Sequence, residues 1–237
     1  MTEAGEGRAP IAPLAGPLLL VVALAAVTGS LDAVSLARTT HTFVGFQTGN
    51  LVLAGLDVGR GEFAAAAGPG VAVLAFLIGT ALTPTILAPG APAPRTAARR
   101  LLAIAAALLA VNVVVVLVGA GPGGAPPSGA VRYVSIVISA CAMAAQTSVV
   151  RRVRGVSVSS TFSTGMLTRL GLSLGSRRDA AGRSHERVVT HVLGATILSF
   201  FAGALVGGVL LAAWGNAAVI APAAGVVLVL ATMGVRS

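Results

Sequence analysis

The chain has 237 residues, of which 56% are hydrophobic and only 10% charged, with a mean hydropathy of +0.94. A soluble domain of this size carries about a quarter charged residues, so the composition excludes that class and predicts an integral membrane protein. All sixteen cationic side chains are arginines, which against seven acidic residues give a formal charge of +9. They sit in short loops beside apolar runs, which is the pattern of membrane topology rather than of nucleic-acid binding.

In chain order, residues 1–13 contain Glu3, Glu6, Arg8, Pro10 and Pro13 and read as a disordered tail. The run from Leu14 to about Leu36 is too long for a signal-peptide core and reads as a retained first span, with Asp32 near its end. A polar and glycine-containing stretch, Arg38 to Leu56, follows. The second span is predicted at about Phe63–Leu87, with Pro69 near its start and Pro84 near its end. A Pro-rich loop carries Arg95, Arg99 and Arg100, and the third span runs from Leu101 to Val118 with Asn112 inside it. After a neutral Pro/Gly turn the plan recurs: a fourth span at about Val131–Val150, a second Thr-Gly stretch, a polar loop from Ser176 to Arg187, and spans at about Val188–Leu211 and Ala217–Met233.

The two Thr-Gly stretches are an internal repeat, the feature to seek first in any new sequence. Phe46, Thr48, Gly49, Gly55 and Leu56 fall on Phe162, Thr164, Gly165, Gly171 and Leu172, each 116 positions later, and Arg38 falls on Arg154. Leu74, Phe76 and Gly79 fall on Leu198, Phe200 and Gly203 at a shift of 124, the longer 176–187 loop supplying the difference. The fold expected is therefore an all-α integral membrane protein of six transmembrane helices. It consists of two inverted three-helix repeats, 14–120 and 130–235, each with a short re-entrant or broken helix at its Thr-Gly motif. With both termini cytoplasmic, thirteen arginines lie inside and only Arg38, Arg60 and Arg132 outside, a strong positive-inside bias. An odd number of spans per repeat inverts the second half relative to the first, as in many transporters.

Each Thr-Gly segment fits a chain that enters extended, turns, and leaves as a half-length helix whose N-terminus points at the bilayer centre. Thr48 or Asn50 would cap the first such helix and Thr164 the second. Converging N–H groups and dipole ends favour an anion or an acceptor-rich solute, and Gly49 and Gly165 let backbone approach it closely. The plainer alternative is that Thr-Gly marks a packing point between broken helices. Asp32 is an intramembrane carboxylate and hence a functional candidate, with a structural ion pair to Arg38 as the alternative. Gln146 and Asn112 suit interhelical hydrogen bonds as well as ligand contact. Arg38 and Arg154 would guard the two mouths or act as snorkelling anchors. Gly203-x-x-x-Gly207 marks a close-packing face.

Several residues carry a resemblance. Leu31-Asp32-Ala33-Val34-Ser35, Phe43-x-x-Phe46-x-Thr48-Gly49-Asn50, Ala145-Gln146 and Thr161-x-x-Thr164-Gly165 resemble the YoaK-like family of uncharacterised bacterial inner-membrane proteins. The similarity spans about residues 18 to 235 and departs from the pattern at Gln47. It implies a multi-span bacterial membrane protein and no substrate.

The function expected is that of a transporter or channel for a small solute, anionic or acceptor-rich, bound between the repeats. Its site residues are Asp32, Arg38, Thr48, Gly49, Asn50, Gln146, Thr164 and Gly165. The competing expectation is a non-transporting assembly or regulatory partner. No catalytic arrangement, phosphate loop or metal cluster is legible, so no enzyme activity, cofactor or metal is expected. The partners expected are the lipid bilayer and a small solute, with self-association left open and nucleic acid excluded.

Overall fold

The computed structural model describes residues 15–87, 93–149, 152–153, 156–157, 164–175 and 180–234. Eight α-helices account for most of them: α1 (Ala15–Val34), α2 (Gln47–Gly59), α3 (Phe63–Leu87), α4 (Pro94–Val118), α5 (Gly129–Thr147), α6 (Thr164–Gly175), α7 (Ala180–Trp214) and α8 (Ile220–Gly234). A π-helical turn, Ser35–Thr39, extends α1, and a 3-10 turn, Gly215–Val219, separates α7 from α8. Among the described residues five helical stretches are long and apolar enough to cross a bilayer: Leu18–Thr39, Phe63–Leu87, Pro94–Val118, Gly129–Thr147 and Glu186–Met233. The last has 48 residues and contains the α7–α8 break at Gly215–Val219, close to the gap expected between spans ending at Leu211 and starting at Ala217. At about 1.5 Å per residue, α2 and α6 cover roughly 18–20 Å, short of the ~30 Å hydrocarbon core.

Three details differ from the sequence expectation. Helix α4 starts at Pro94 rather than Leu101, because proline at the first helical position is pre-shaped for a helix start and the alanines that follow favour continuation. Helix α7 starts at Ala180, so residues 180–187 of the expected 176–187 loop are helical. Residues 152–153 and 156–157 form a two-stranded antiparallel ladder, β1 (Arg152–Val153) and β2 (Val156–Ser157), where an extended entry to the second Thr-Gly segment was expected without any strand pairing.

Helices α1, α4, α5 and α8 share one apolar core. Leu24, Val27 and Leu31 of α1 meet Leu102, Ala105 and Leu109 of α4, Ala142 and Met143 of α5, and Val226 of α8. Helix α3 lies outside α5 with α2 against it, and α7 lies outside α1 with α6 against it. Exchanging α1–α4 with α5–α8 in order maps each of these packings onto another: α1 on α7 becomes α5 on α3, α4 on α5 becomes α8 on α1, and α4 on α8 maps onto itself.

Lipid tails are as apolar as leucine, so helix association in a bilayer rests on close packing and interhelical hydrogen bonds rather than on the hydrophobic effect. The α1–α7 seam follows that rule at four-residue intervals. The Ser199 hydroxyl donates to Val22 O at 2.6 Å, a methyl group added at Gly203 would overlap the Ala26 carbonyl, and one added at Gly207 would stand 2.7 Å from Ser30 O. Both numbers rise together, so α1 and α7 run in the same sense. The Gly203-x-x-x-Gly207 face is thus an internal packing face. The α3–α5 seam has the same form: Cys141 Sγ lies 3.6 Å from Ala75 O, a methyl at Gly79 would stand 2.9 Å from Ala144 Cβ, and the Thr83 and Ser148 hydroxyls lie 3.4 Å apart. Gly79 and Gly203, equivalent in the sequence repeat, each mark a closest approach.

Helices α1 and α5 run in opposite senses. Arg132, early in α5, donates to Thr40 O just beyond α1, whereas Gln146, late in α5, reaches Leu24 and Thr28 midway along α1. The ends of α1, α4 and α7 meet on one face, where Arg38 donates to Asn216 Oδ1 (3.3 Å) and to Gly124 O (2.9 Å).

Candidate functional site at the crossing of α1 and α5

Beyond the π-helical turn the chain doubles back along α1. The Thr40 hydroxyl lies 2.7 Å from that of Ser35 and 2.9 Å from that of Thr42, a short polar relay that turns the backbone inward. His41, in the middle, takes the left-handed conformation (φ 55°) and points outward, exposed. Residues 43–47 then lie against α1. Asp32 Oδ1 accepts from Val44 N at 2.7 Å and Gly45 N at 2.8 Å, and the Phe46 amide stands beside the same carboxylate. Successive amides around one carboxylate form an anion-binding nest, here filled by a side chain of the chain itself.

Asn50, one turn into α2, closes the loop from the other side. Its Oδ1 accepts from Phe43 N (2.9 Å), and its Nδ2 donates to Phe43 O (2.6 Å) and Gln47 Oε1 (2.9 Å), while Gln47 Nε2 donates to Val44 O (2.7 Å). Helix α2 has Phe46 as its N-cap, without a side-chain cap, so neither Thr48 nor Asn50 caps it. Gly49 is required by the two aromatic rings, which meet edge to face at 5.2 Å; a methyl group there would stand 2.6 Å from the Phe46 ring and 2.8 Å from the Phe43 ring. Thr48 is exposed, and so are Leu51 and Val52 after it.

Gln146 lies on the opposite wall, fully buried on α5. Its Nε2 donates to Leu24 O (3.1 Å) and to the Thr28 hydroxyl (2.8 Å), and the Thr28 hydroxyl in turn donates to Leu24 O (2.9 Å). Both amide hydrogens have acceptors, so the orientation of the amide is fixed by its partners. Leu24, Thr28 and Asp32 follow each other at four-residue spacing along one face of α1, so the amide and the carboxylate belong to the same seam. Two acceptor atoms there have no hydrogen-bond partner among the described residues, Asp32 Oδ2 and Gln146 Oε1. The Ser30 and Thr147 hydroxyls are buried and unpartnered as well.

The structure therefore brings Asp32, Gly49, Asn50 and Gln146 into one region around the folded-back loop. Arg38 is not paired with Asp32; it ties the ends of α1 and α7 and the α4–α5 loop together through Asn216 and Gly124. Thr164 and Gly165 open α6, which packs on α7, and are exposed, and Phe162 and Arg154 of the second motif lie outside the described residues. Asn112 accepts from the Ser135 hydroxyl at 2.7 Å, an α4–α5 bond of the interhelical kind expected. Sequence reasoning missed Thr28, whose signal is its position four residues before Asp32, and missed the Thr40 and Thr42 relay, which shows as an unbroken polar run after an apolar span. An apolar groove of about 260 Å³ opens elsewhere, between α1, α7 and α8, lined by Val27, Ala202, Val206 and Pro222 among others; neither Thr48 nor Thr164 contributes to it.

No curated protein and no solved structure matches this chain. A family profile described as "Protein of unknown function (DUF1275)" matches residues 20–233. That match takes in both Thr-Gly segments, Asp32 and Gln146, and the chain belongs to this family.

Proposed function

We propose that this protein is a multi-pass transporter or channel for a small solute, built from two inverted repeats of three spans each and acting between them, rather than an enzyme. The observation that carries the reading is the seam at which α5 crosses α1 in the opposite sense. Buried polar groups from both halves meet there, and Asp32 and Gln146 each keep one acceptor without a partner among the described residues. Natural proteins rarely leave buried acceptors unmatched, and in a membrane segment such groups mark solute or ion pathways by default. Opposed α1 and α5, together with the exchange symmetry of the packing, support the inverted six-span arrangement. The arginine distribution supports cytoplasmic termini in a bacterial inner membrane, the location that the YoaK-like resemblance also implies.

The class of solute shifts with the geometry. Amides expected to face an anion are engaged within the chain, Val44 and Gly45 by Asp32 and Phe43 by Asn50. What remains open is acceptor oxygen, which favours a solute that donates hydrogen bonds. The second reading, a non-transporting assembly or regulatory partner, is favoured by the closed apolar core of α1, α4, α5 and α8. Flux in proteoliposomes over a panel of small cations, amines, neutral solutes and anions decides between them. Saturable movement of a donor-bearing solute supports the transporter; absence of movement for every member, in both directions, removes it.

A further inference from the structure

The two open acceptors of the α1–α5 seam have a chemical identity that narrows what they hold. Asp32 is 3% exposed and is the only acidic residue in α1, α3, α4, α5 or α8. Its Oδ1 is matched by the loop amides, and its Oδ2 is buried without a partner among the described residues. One turn below, Thr28 positions the Gln146 amide so that both N–H groups face α1 and Oε1 is left over. Among the described residues, the groups facing this seam supply no compensating cation. Arg38 points to Asn216 and Gly124, and Arg132 to Thr40 O. His41 is exposed, as are Arg95, Arg99 and Arg100 of α4; α8 has no titratable residue, α7 carries none from residue 192 to Trp214, the part that meets α1 beside Asp32, and Cys141 of α5 faces Ala75 O of α3. A carboxylate buried in this way needs a proton or a counter-ion.

We infer that the seam between Asp32 and Gln146 is a cation site, taking a proton or a small alkali cation such as Na⁺ through Asp32 Oδ2 and Gln146 Oε1. Oxygen ligands of this kind, one carboxylate and one amide carbonyl, suit a hard monovalent ion as readily as a proton held between them. The site deepens the transporter reading by giving it a coupling ion. It also links the ion to a moving part: the carboxylate that would hold the cation is the one that pins residues 44–45 of the folded-back loop. Occupancy at Oδ2 therefore bears on how firmly Oδ1 holds the loop.

The test uses purified full-length protein in detergent, with thermal stability and ²²Na⁺ binding as readouts. NaCl is titrated against choline chloride at constant ionic strength, at pH 8 and again at pH 5.5. The Asp32→Asn variant is matched to the wild type because an asparagine oxygen still accepts from Val44 and Gly45, while its NH₂ supplies a donor where the cation would sit. The wild type is expected to gain stability from Na⁺ at pH 8, from acidification, or from both, the pattern identifying the occupant. Asp32→Asn is expected to be insensitive to Na⁺ and to lack the acid-dependent component. Gln146→Leu, which leaves the carboxylate in place, is expected to bind Na⁺ at least about tenfold more weakly, or to lose the Asp32-dependent response to pH. A wild type indifferent to both Na⁺ and pH, or an Asp32→Asn variant that responds like the wild type, overturns the site. If Asp32→Asn fails to fold, wild-type ²²Na⁺ binding and the Gln146→Leu comparison decide alone. Cation binding without solute flux would refute the transporter and leave the site standing, whereas flux without a cation response would do the reverse.

Discussion

Gln146 on α5 gives both of its amide hydrogens to α1, one to the Leu24 carbonyl at 3.1 Å and the other to the Thr28 hydroxyl at 2.8 Å. This pair of bonds joins the two sequence halves at the level where the core is otherwise Leu, Val, Ala and Met. Interhelical hydrogen bonds in membranes contribute about 0.6 kcal/mol on average, because the separated helices find other partners. Gln146→Leu is therefore expected to lower stability by about 1 kcal/mol. Thr28→Val should cost about as much, and the double variant less than the sum. Unfolding of the three variants in mixed micelles measures this, and strict additivity would show that the two side chains do not act together.

The α1–α7 seam predicts a contrast between glycines on one helix. A methyl group at Gly203 overlaps the Ala26 carbonyl, and at Gly207 it meets Ser30 backbone, whereas at Gly208 nothing lies within 4 Å. Gly203→Ala and Gly207→Ala should each destabilise by about 1–3 kcal/mol through forced separation of the helices. Gly208→Ala should be neutral or stabilising by up to about 1 kcal/mol, since alanine restricts the unfolded chain more than glycine does. Equal effects at positions 203 and 208 would place the seam elsewhere.

The long apolar helices, the two half-length helices and the turn before α8 were legible because membrane spans demand long apolar runs and the repeat places its breaks at matching points. Helix starts were less legible. Nothing in the Arg-rich stretch 94–100 marks a boundary once Pro94 takes the first helical position. Around the site, Asp32, Asn50 and Gln146 stood out because polar residues in an apolar setting are conspicuous. Their partners did not: Asp32 binds backbone amides of Val44 and Gly45, and no residue type announces a backbone donor. Arg38 shows the same limit from the other side. Six residues after Asp32 it invites an ion pair, yet its partners are Asn216 and Gly124, brought near only by the fold.

Topology is testable with single cysteines in a Cys141→Ala background. Arg60 and Gly124 are exposed, and with cytoplasmic termini both are expected to react with an impermeant maleimide added outside intact cells. Ala97, near the start of α4, and Arg187, exposed on α7, should react only after the membrane is opened. Labelling of positions 97 and 187 from opposite sides would end the inverted-repeat arrangement.

Arg38 predicts the behaviour of the face on which the ends of three helices meet. It links the end of α1 to the 3-10 turn 215–219 and to the α4–α5 loop, and Asn216 Nδ2 reinforces the same loop with 3.0 Å bonds to Gly124 O and Ala125 O. Arg38→Ala should speed amide exchange in residues 121–127 and 214–219 several-fold while leaving the α1–α5 seam protected, since its loss removes hydrogen bonds at the surface and none in the core. Exchange that rises equally throughout α1 and α5 would mean that Arg38 holds the whole fold rather than this face.

The Thr48-Gly49 pair separates the two readings of the repeated motif within two adjacent residues. Gly49 lies under the Phe43 and Phe46 rings, so Gly49→Leu would displace both and break the Asn50 bonds to Phe43; loss of folded protein is the expected outcome. Thr48 is exposed at the start of α2, and its hydroxyl has no comparable packing role. Thr48→Val should therefore leave thermal stability unchanged within about 0.5 kcal/mol. If α2 starts beside the solute path, the same change removes one hydrogen-bonding hydroxyl and lowers apparent solute affinity several-fold, the equivalent of about 1 kcal/mol. Thr164→Val, at the repeat-related start of α6, should behave alike if both short helices face one path. Flux that is unaltered by both threonine changes, in protein of wild-type stability, would assign the motif to packing alone and confine the solute path to the α1–α5 seam.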